Sequence, residues 1–250
     1  MRLISAEVLK TVRRRGLMAW SLLLTVGSVL IAEVVLVVLH AANAAKHGPG
    51  GGVTNMSHYL DVLFGLGTVA AIMIGATAGS QDVSNGVFRD LVVTGRKRST
   101  LFNARVPGVL LVLLPMLALG FALAVGGSYL FAGDLAHPTA QVILRYAEYG
   151  LASTFINVVL AVSLTAIASA RVVIGVLIAW NVIVAPLLLQ IGSLGSVRKG
   201  LDVAAIEHFA PGQFVTRQVT ISTATALLVL AGWTVVFTQA GRWWTTRRDA

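Results

Sequence analysis

The chain of 250 residues contains no cysteine, which excludes disulfides, zinc–thiolate and iron–sulfur centres and a cysteine nucleophile. Charge is also scarce. Only 12% of residues are Asp, Glu, Lys or Arg, against 56% hydrophobic and a mean hydropathy of +0.84, values that exclude a water-soluble globular enzyme and a disordered chain. Catalytic motifs are missing too: there is no GxxxxGK[ST] phosphate loop, no HExxH and no GxSxG. The glycine-rich run at 48–52 has no lysine after it and reads as a flexible loop tip on the outer side. His40, His47, His58, His137 and His208 fall in outer loops without regular ligand spacing, so no metal is expected. The net charge of +9 would suggest nucleic acid in a soluble protein. Here the cations gather at the ends of apolar blocks, where they orient helices and meet anionic lipid, so nucleic acid is not the expected partner.

What the sequence has instead is apolar blocks long enough to cross a hydrocarbon core, about 20 residues each. Six occur, at 17–39, 60–79, 106–131, 150–169, 172–194 and 219–241, giving an all-α membrane protein with one transmembrane domain over 1–250. Of the 19 Lys and Arg residues, 14 lie on one side of the resulting topology. They sit before the first span, between spans two and three, at Arg171 and after span six. The positive-inside rule then puts both termini in the cytoplasm, in a plasma membrane. Trp20, Trp243 and Trp244 fall at the inner ends of the first and last spans, the depth at which an indole buries its ring and hydrates its N–H.

Two inner segments carry unusual content. Residues 2–15, within a segment running to 16, place Ile4, Val8 and Val12 at a spacing of four with Glu7, Lys10 and Arg14 on another face. They read either as an amphipathic interface helix or as a plain basic flank. The stretch 81–105, QDVSNGVFRDLVVTGRKRSTLFNAR, is too long for a hairpin turn. Asp82 or Ser84 can cap a short helix, Val87 pairs with Leu91 and Phe88 with Val92, and Gly95 stops it. These apolar side chains have no lipid to bury them. They want either a protein partner or the inner ends of the spans.

This arrangement resembles the ABC-2-type permeases, the membrane subunits of ATP-binding cassette transporters. The likeness rests on the basic N-terminal segment, six crossings with both ends inside, and the pattern GVFRDL at 86–91, VTGRKR at 93–98 and LFNAR at 101–105. The family's common turn proline is absent, and its acidic residue before the glycine is represented only by Asp82. The resemblance implies a cytoplasmic coupling helix docked into a separate ATPase subunit. Val87, Phe88 and Leu91 would anchor it, and Arg89, Asp90 and Arg96 would orient it. It also implies two ATPase copies, which carry the ATP and Mg, and a second permease chain, giving a homodimer or a pseudo-symmetric heterodimer. This chain itself would be no enzyme and hold no cofactor. Export is the family's tendency, and the sparsely charged spans suit a hydrophobic or amphipathic substrate such as a drug, antibiotic, lipid or peptide.

Within the spans, Glu33 is an ionisable group at a depth where it must be paired or hydrated, and is a candidate for the transport path. Asn157, Asn181 and Gln190 are further candidates, or interhelical hydrogen bonds. Gly75 and Gly79 form a GxxxG pair, and Pro115 and Pro186 invite kinks. The segment 195–218 is too polar to cross and carries a possible helix from 201 to 209. Two alternatives stand beside the permease reading: an ion-coupled carrier using Glu33 and Asp61, and a membrane anchor that assembles other proteins without transport.

Overall fold

The computed structural model describes residues 2–84, 97–212 and 219–247, together with positions 86, 93 and 95. Among the described residues six helices are long and apolar enough to cross a membrane: Arg15–Ala42, Gly52–Asp82, Arg98–Leu130, Ala140–Leu164, Ala170–Gln190 and Thr223–Arg247. The described secondary structure is entirely helical, as befits a multi-pass membrane protein, where hydrocarbon leaves the backbone no partner but itself. These helices are numbered here as spans one to six. Seven serines and threonines in them obey the same constraint, while the buried hydroxyls of Ser21 and Ser163 have no partner among the described residues. Thr25, Ser28, Thr68, Thr77, Ser80, Thr234 and Thr245 each donate to the carbonyl four residues earlier, so a polar side chain sits in an apolar helix without an unspent hydrogen.

Helix bounds depart from the apolar blocks where local chemistry intervenes. Span four begins at Ala140, capped by the Thr139 hydroxyl, which accepts from Val142 N–H. It ends at Leu164 instead of running to 169, because the chain turns through Thr165 to Ala168 on bonds back to Ser163 and Leu164. Span two starts eight residues before its apolar block, at Gly52. The glycine run before it is no loose tip. Gly50, Gly51 and Gly52 are buried, Gly51 N–H donates to Phe131 O at 2.7 Å, and Tyr59 Oη donates to Gly50 O. A Cβ on Gly51 would collide with the backbone at Phe131 and Ala132, so glycine is what lets the strap pass. His40 and His58 likewise lie within the helices of spans one and two, not in loops.

Span two is the centre of the molecule, packed on spans three, four and one. Its GxxxG pair sets the closest approach. Gly75 faces Ala161 Cβ and Val158 O, and Gly79 faces Thr165 and Val162 O, both on span four or just past its end. Spans five and six are buried least and show wide apolar faces, including Val182 and Leu228.

Two spans contain a widened π-type turn, Leu23–Gly27 in span one and Trp180–Val184 in span five. The second precedes Pro186, whose ring removes an N–H and disfavours a regular helix around it. Pro115, by contrast, is carried inside the continuous helix of span three.

After span five a 3-10 segment, Gly192–Gly200, leads into a short helix, Asp202–Phe209, close to the span expected from sequence. This outer helix is held down at its start. Trp180 Nε1 donates to the fully buried Asp202 carboxylate at 3.1 Å, and Trp233 Nε1 donates to Gly200 O at 2.9 Å. Burial pushes the Asp202 carboxyl above its usual range, against the opposing pull of the Trp180 bond.

Candidate functional site

Three places in the bundle collect polar groups. The first is at the end where both termini lie, since Arg98 Nη1 donates to Thr246 O and the N-terminal helix Arg2–Val12 packs on span three. Here Asp82, at the end of span two, accepts from Lys10 Nζ at 2.9 Å and from Arg105 Nη2 at 3.3 Å. Arg105, on span three and only 2% exposed, also donates through Nη1 to Gly79 O at 2.9 Å. Lys10 bridges back to Glu7, which rests against Gly108 of span three. One ionic cluster thus joins the N-terminal helix to the two spans that flank the segment 85–97.

This changes two expectations. Asp82 lies inside the helix of span two, which continues to Ser84, and its carboxylate is taken by two cations. In the N-terminal helix the polar edge, Glu7 with Thr11, is what packs inward, while Leu9 and Val12 are exposed. A buried charge with two fixed partners holds the helix in that rotation more firmly than a weak apolar stripe. The cluster's signal in the sequence was two opposite charges, Asp82 and Arg105, flanking one loop. The proposed anchors Val87, Phe88, Arg89, Asp90, Leu91 and Arg96 lie outside the described residues. Gly86 and Gly95 both have positive φ, a conformation that suits glycine.

Glu7 supplies a pH dependence. Burial raises its carboxyl above the usual range, partly offset by Lys10 and Arg105 and reinforced by Asp82. Between the unfolded and the raised folded value the folded state holds the proton more often. Attachment of the N-terminal helix is therefore expected to weaken as pH rises through that window, and to be strongest below it. Protease cleavage between residues 12 and 15, followed from pH 4 upward, should accelerate with pH. A Glu7→Gln variant should flatten the profile.

The second place is Glu33, in span one. It is 7% exposed and faces span three, where only the absence of a side chain at Gly127 leaves room for its carboxylate. Its Oε1 has no hydrogen-bond partner among the described residues. Span one thus carries a buried carboxylate facing inward, as a functional or structural role would both require.

The third place lies between spans two, four and five. Asn181, inside the π-type turn, donates to Asn157 Oδ1 at 2.9 Å and to Leu177 O at 2.8 Å. Asn157, fully buried, donates to Ser153 O. A cavity of about 240 Å³ opens beside this pair, with Thr68, Tyr149, Ser153 and Glu207 on its wall. Gln190 is elsewhere, exposed at the end of span five. Of the four transport-path candidates the structure therefore joins only Asn157 and Asn181; Glu33 stands apart between spans one and three. Thr68, Ser153 and Tyr149 went unnoticed in the sequence because single hydroxyls in an apolar helix carry no spacing signal. Among the described residues no cluster of three His, Asp or Glu could hold a metal.

No protein-family model matches the chain, and no curated protein matches its sequence.

Proposed function

We propose that the chain is the membrane-spanning subunit of an ATP-driven exporter of the ABC-2 type, with both termini in the cytoplasm of a plasma-membrane permease. It works as a pair with two ATPase subunits beneath it and moves a hydrophobic or amphipathic substrate. The observation that carries this reading is the ionic cluster of Glu7, Lys10, Asp82 and Arg105. A coupling segment transmits force only if both its ends are tied to the spans it must move. Asp82 and Arg105 tie the two spans that flank 85–97 to each other, and Lys10 ties them to a helix that exposes Leu9 and Val12 at an apolar face suited to the membrane surface. The excess of cations at this end supports an inward orientation, and Arg247, stacked 4.1 Å above Trp243, supports an interfacial position for the last span's end. With no phosphate loop in the chain, ATP and Mg belong to the partner.

The test is purification of the tagged chain from its native membrane in mild detergent. A stoichiometric ATP-hydrolysing subunit is expected to come with it, and a Phe88→Ala/Arg89→Ala double substitution is expected to release that subunit while the spans stay folded. A chain that purifies alone overturns the reading. In that case Glu33, a buried carboxylate whose Oε1 lacks a partner among the described residues, favours an ion-coupled carrier, tested by the loss of ion-driven uptake in Glu33→Gln.

A further inference from the structure

Span four carries one stripe that changes character along its length. Gln141, Arg145, Glu148, Ala152 and Phe155 recur at intervals of four and three, so they share a face of the helix Ala140–Leu164. The first two line a cup of about 280 Å³, together with Thr139 and, just past the outer helix, Ala210 and Pro211. The last three line a groove of about 550 Å³ between spans four and six, walled by Leu151, Phe209, Leu227 and Val235. Apart from Glu148 at one end, and Thr234, whose hydroxyl already donates to Leu230 O at 2.7 Å, the groove is apolar. Cup and groove adjoin on both walls: Arg145 and Glu148 are bridged at 3.2 Å, and Phe209 is followed by Ala210. A polar cup set above an apolar groove selects an amphiphile, with a charged head and a hydrocarbon tail.

We infer that this face binds one phospholipid with a zwitterionic, amine-bearing headgroup. Its phosphate sits on Arg145 in the cup, its ammonium on Glu148, and an acyl chain lies in the groove. Depth agrees. The apolar block of span four begins at 150, so the Arg145–Glu148 pair stands where hydrocarbon gives way to headgroups, at the end of the bundle away from both termini. The pair also has capacity to spare. Its hydrogen bond, Nη1 to Oε2, employs one guanidinium nitrogen and one carboxylate oxygen, and both side chains are partly exposed. Neutral overall, it favours a headgroup that brings both signs over one that brings a single negative charge. Shape separates a lipid chain from a protein helix. From Glu148 to Phe155 the groove runs about 10 Å at about 1.5 Å per residue, within the roughly 15 Å of hydrocarbon in one leaflet. Its volume then corresponds to a width of about 7 Å, which admits an extended hydrocarbon chain and excludes a helix about 10 Å across.

Binding of this lipid is independent of the transport reading. The experiment is native mass spectrometry of the full chain in detergent, counting bound copies as one of three dioleoyl lipids is added. Phosphatidylethanolamine brings phosphate and ammonium, phosphatidylglycerol brings phosphate alone, and diacylglycerol brings neither. One copy of phosphatidylethanolamine is expected to bind at least about tenfold more tightly than phosphatidylglycerol, and diacylglycerol more weakly still. Glu148→Gln should bring phosphatidylethanolamine down to the level of phosphatidylglycerol. Ala231→Phe, at an exposed position of span six on the groove wall, should remove the tight copy of either phospholipid by filling the groove. Equal binding of the three lipids, an annular coat only, overturns the inference, as does tight phosphatidylethanolamine binding that survives Ala231→Phe. A dimer that Ala231→Phe dissolves while no lipid is retained also overturns it, because a second copy then covers the face. If Glu148→Gln fails to fold, discrimination among the lipids by the unsubstituted chain and its loss in Ala231→Phe still decide it. A missing ATPase partner would sink the exporter reading and leave this result untouched.

Discussion

Replacing Arg105 with methionine is expected to destabilise the fold by about 3–5 kcal/mol, the usual cost of removing one member of a buried ion pair. The side chain is 2% exposed and spends its two terminal nitrogens on Gly79 O and Asp82 Oδ2. Methionine matches much of its volume, so the loss is electrostatic more than steric. What remains is an Asp82 carboxylate, 4% exposed, with Lys10 as its one cation among the described residues, and a Gly79 carbonyl that has lost its side-chain donor. Thermal unfolding of the purified chain, read by intrinsic fluorescence, measures the loss. The double variant Arg105→Met/Asp82→Asn should recover much of it, because the orphaned charge goes with its partner. Equal stability of the single variant and the original chain would show that the cluster ties nothing together, and would remove the observation on which the coupling argument stands.

Gly79→Ala is expected to cost about 1–3 kcal/mol, as overpacking does at a tight contact. A single methyl there collides with Thr165 Oγ1 and lies 3.0 Å from Val162 O, so part of the obstacle is backbone that cannot rotate away. Thr165 is fixed too, because its hydroxyl donates to Val162 O at 2.8 Å. Relief therefore requires spans two and four to separate. The same residue's carbonyl receives Arg105, so separation would also disturb the ionic cluster. Gly79→Ala/Thr165→Ala should regain part of the loss but not all, since the contact with Val162 O remains. Gly75→Ala makes the comparison. It meets Ala161 Cβ at 2.8 Å and Val158 O at 3.4 Å, so it should be the milder of the two.

Both predictions concern residues that the sequence displayed without explaining. GxxxG is a pair that 25 glycines can produce by chance, and only the packed structure shows span four filling it. Arg105 looked like one more inner-side cation, yet it is among the most buried side chains in the chain. The glycine run at 48–52 looked loose because glycine serves both flexible and crowded backbone, and the neighbour that decides between them, Phe131, is far away in sequence.

The sequence by itself determined six helices long and apolar enough to cross a membrane and, with no cysteine, the absence of thiol chemistry. Hydrocarbon imposes its demand locally, on every consecutive residue, so a run of apolar side chains is sufficient to announce it. It also placed the outer helix to within a residue, since a polar stretch between two spans has few other options. Tertiary structure alone decided which face of the N-terminal helix turns inward, that Asp82 bonds to two cations, that Asn157 meets Asn181, and that a cavity lies beside them. Each of these depends on a partner more than 20 residues distant in sequence, or on how a hydroxyl's single hydrogen is used. Hydrogen-bond supply and demand is settled by neighbours in space, which is why no pattern along the chain could reveal it.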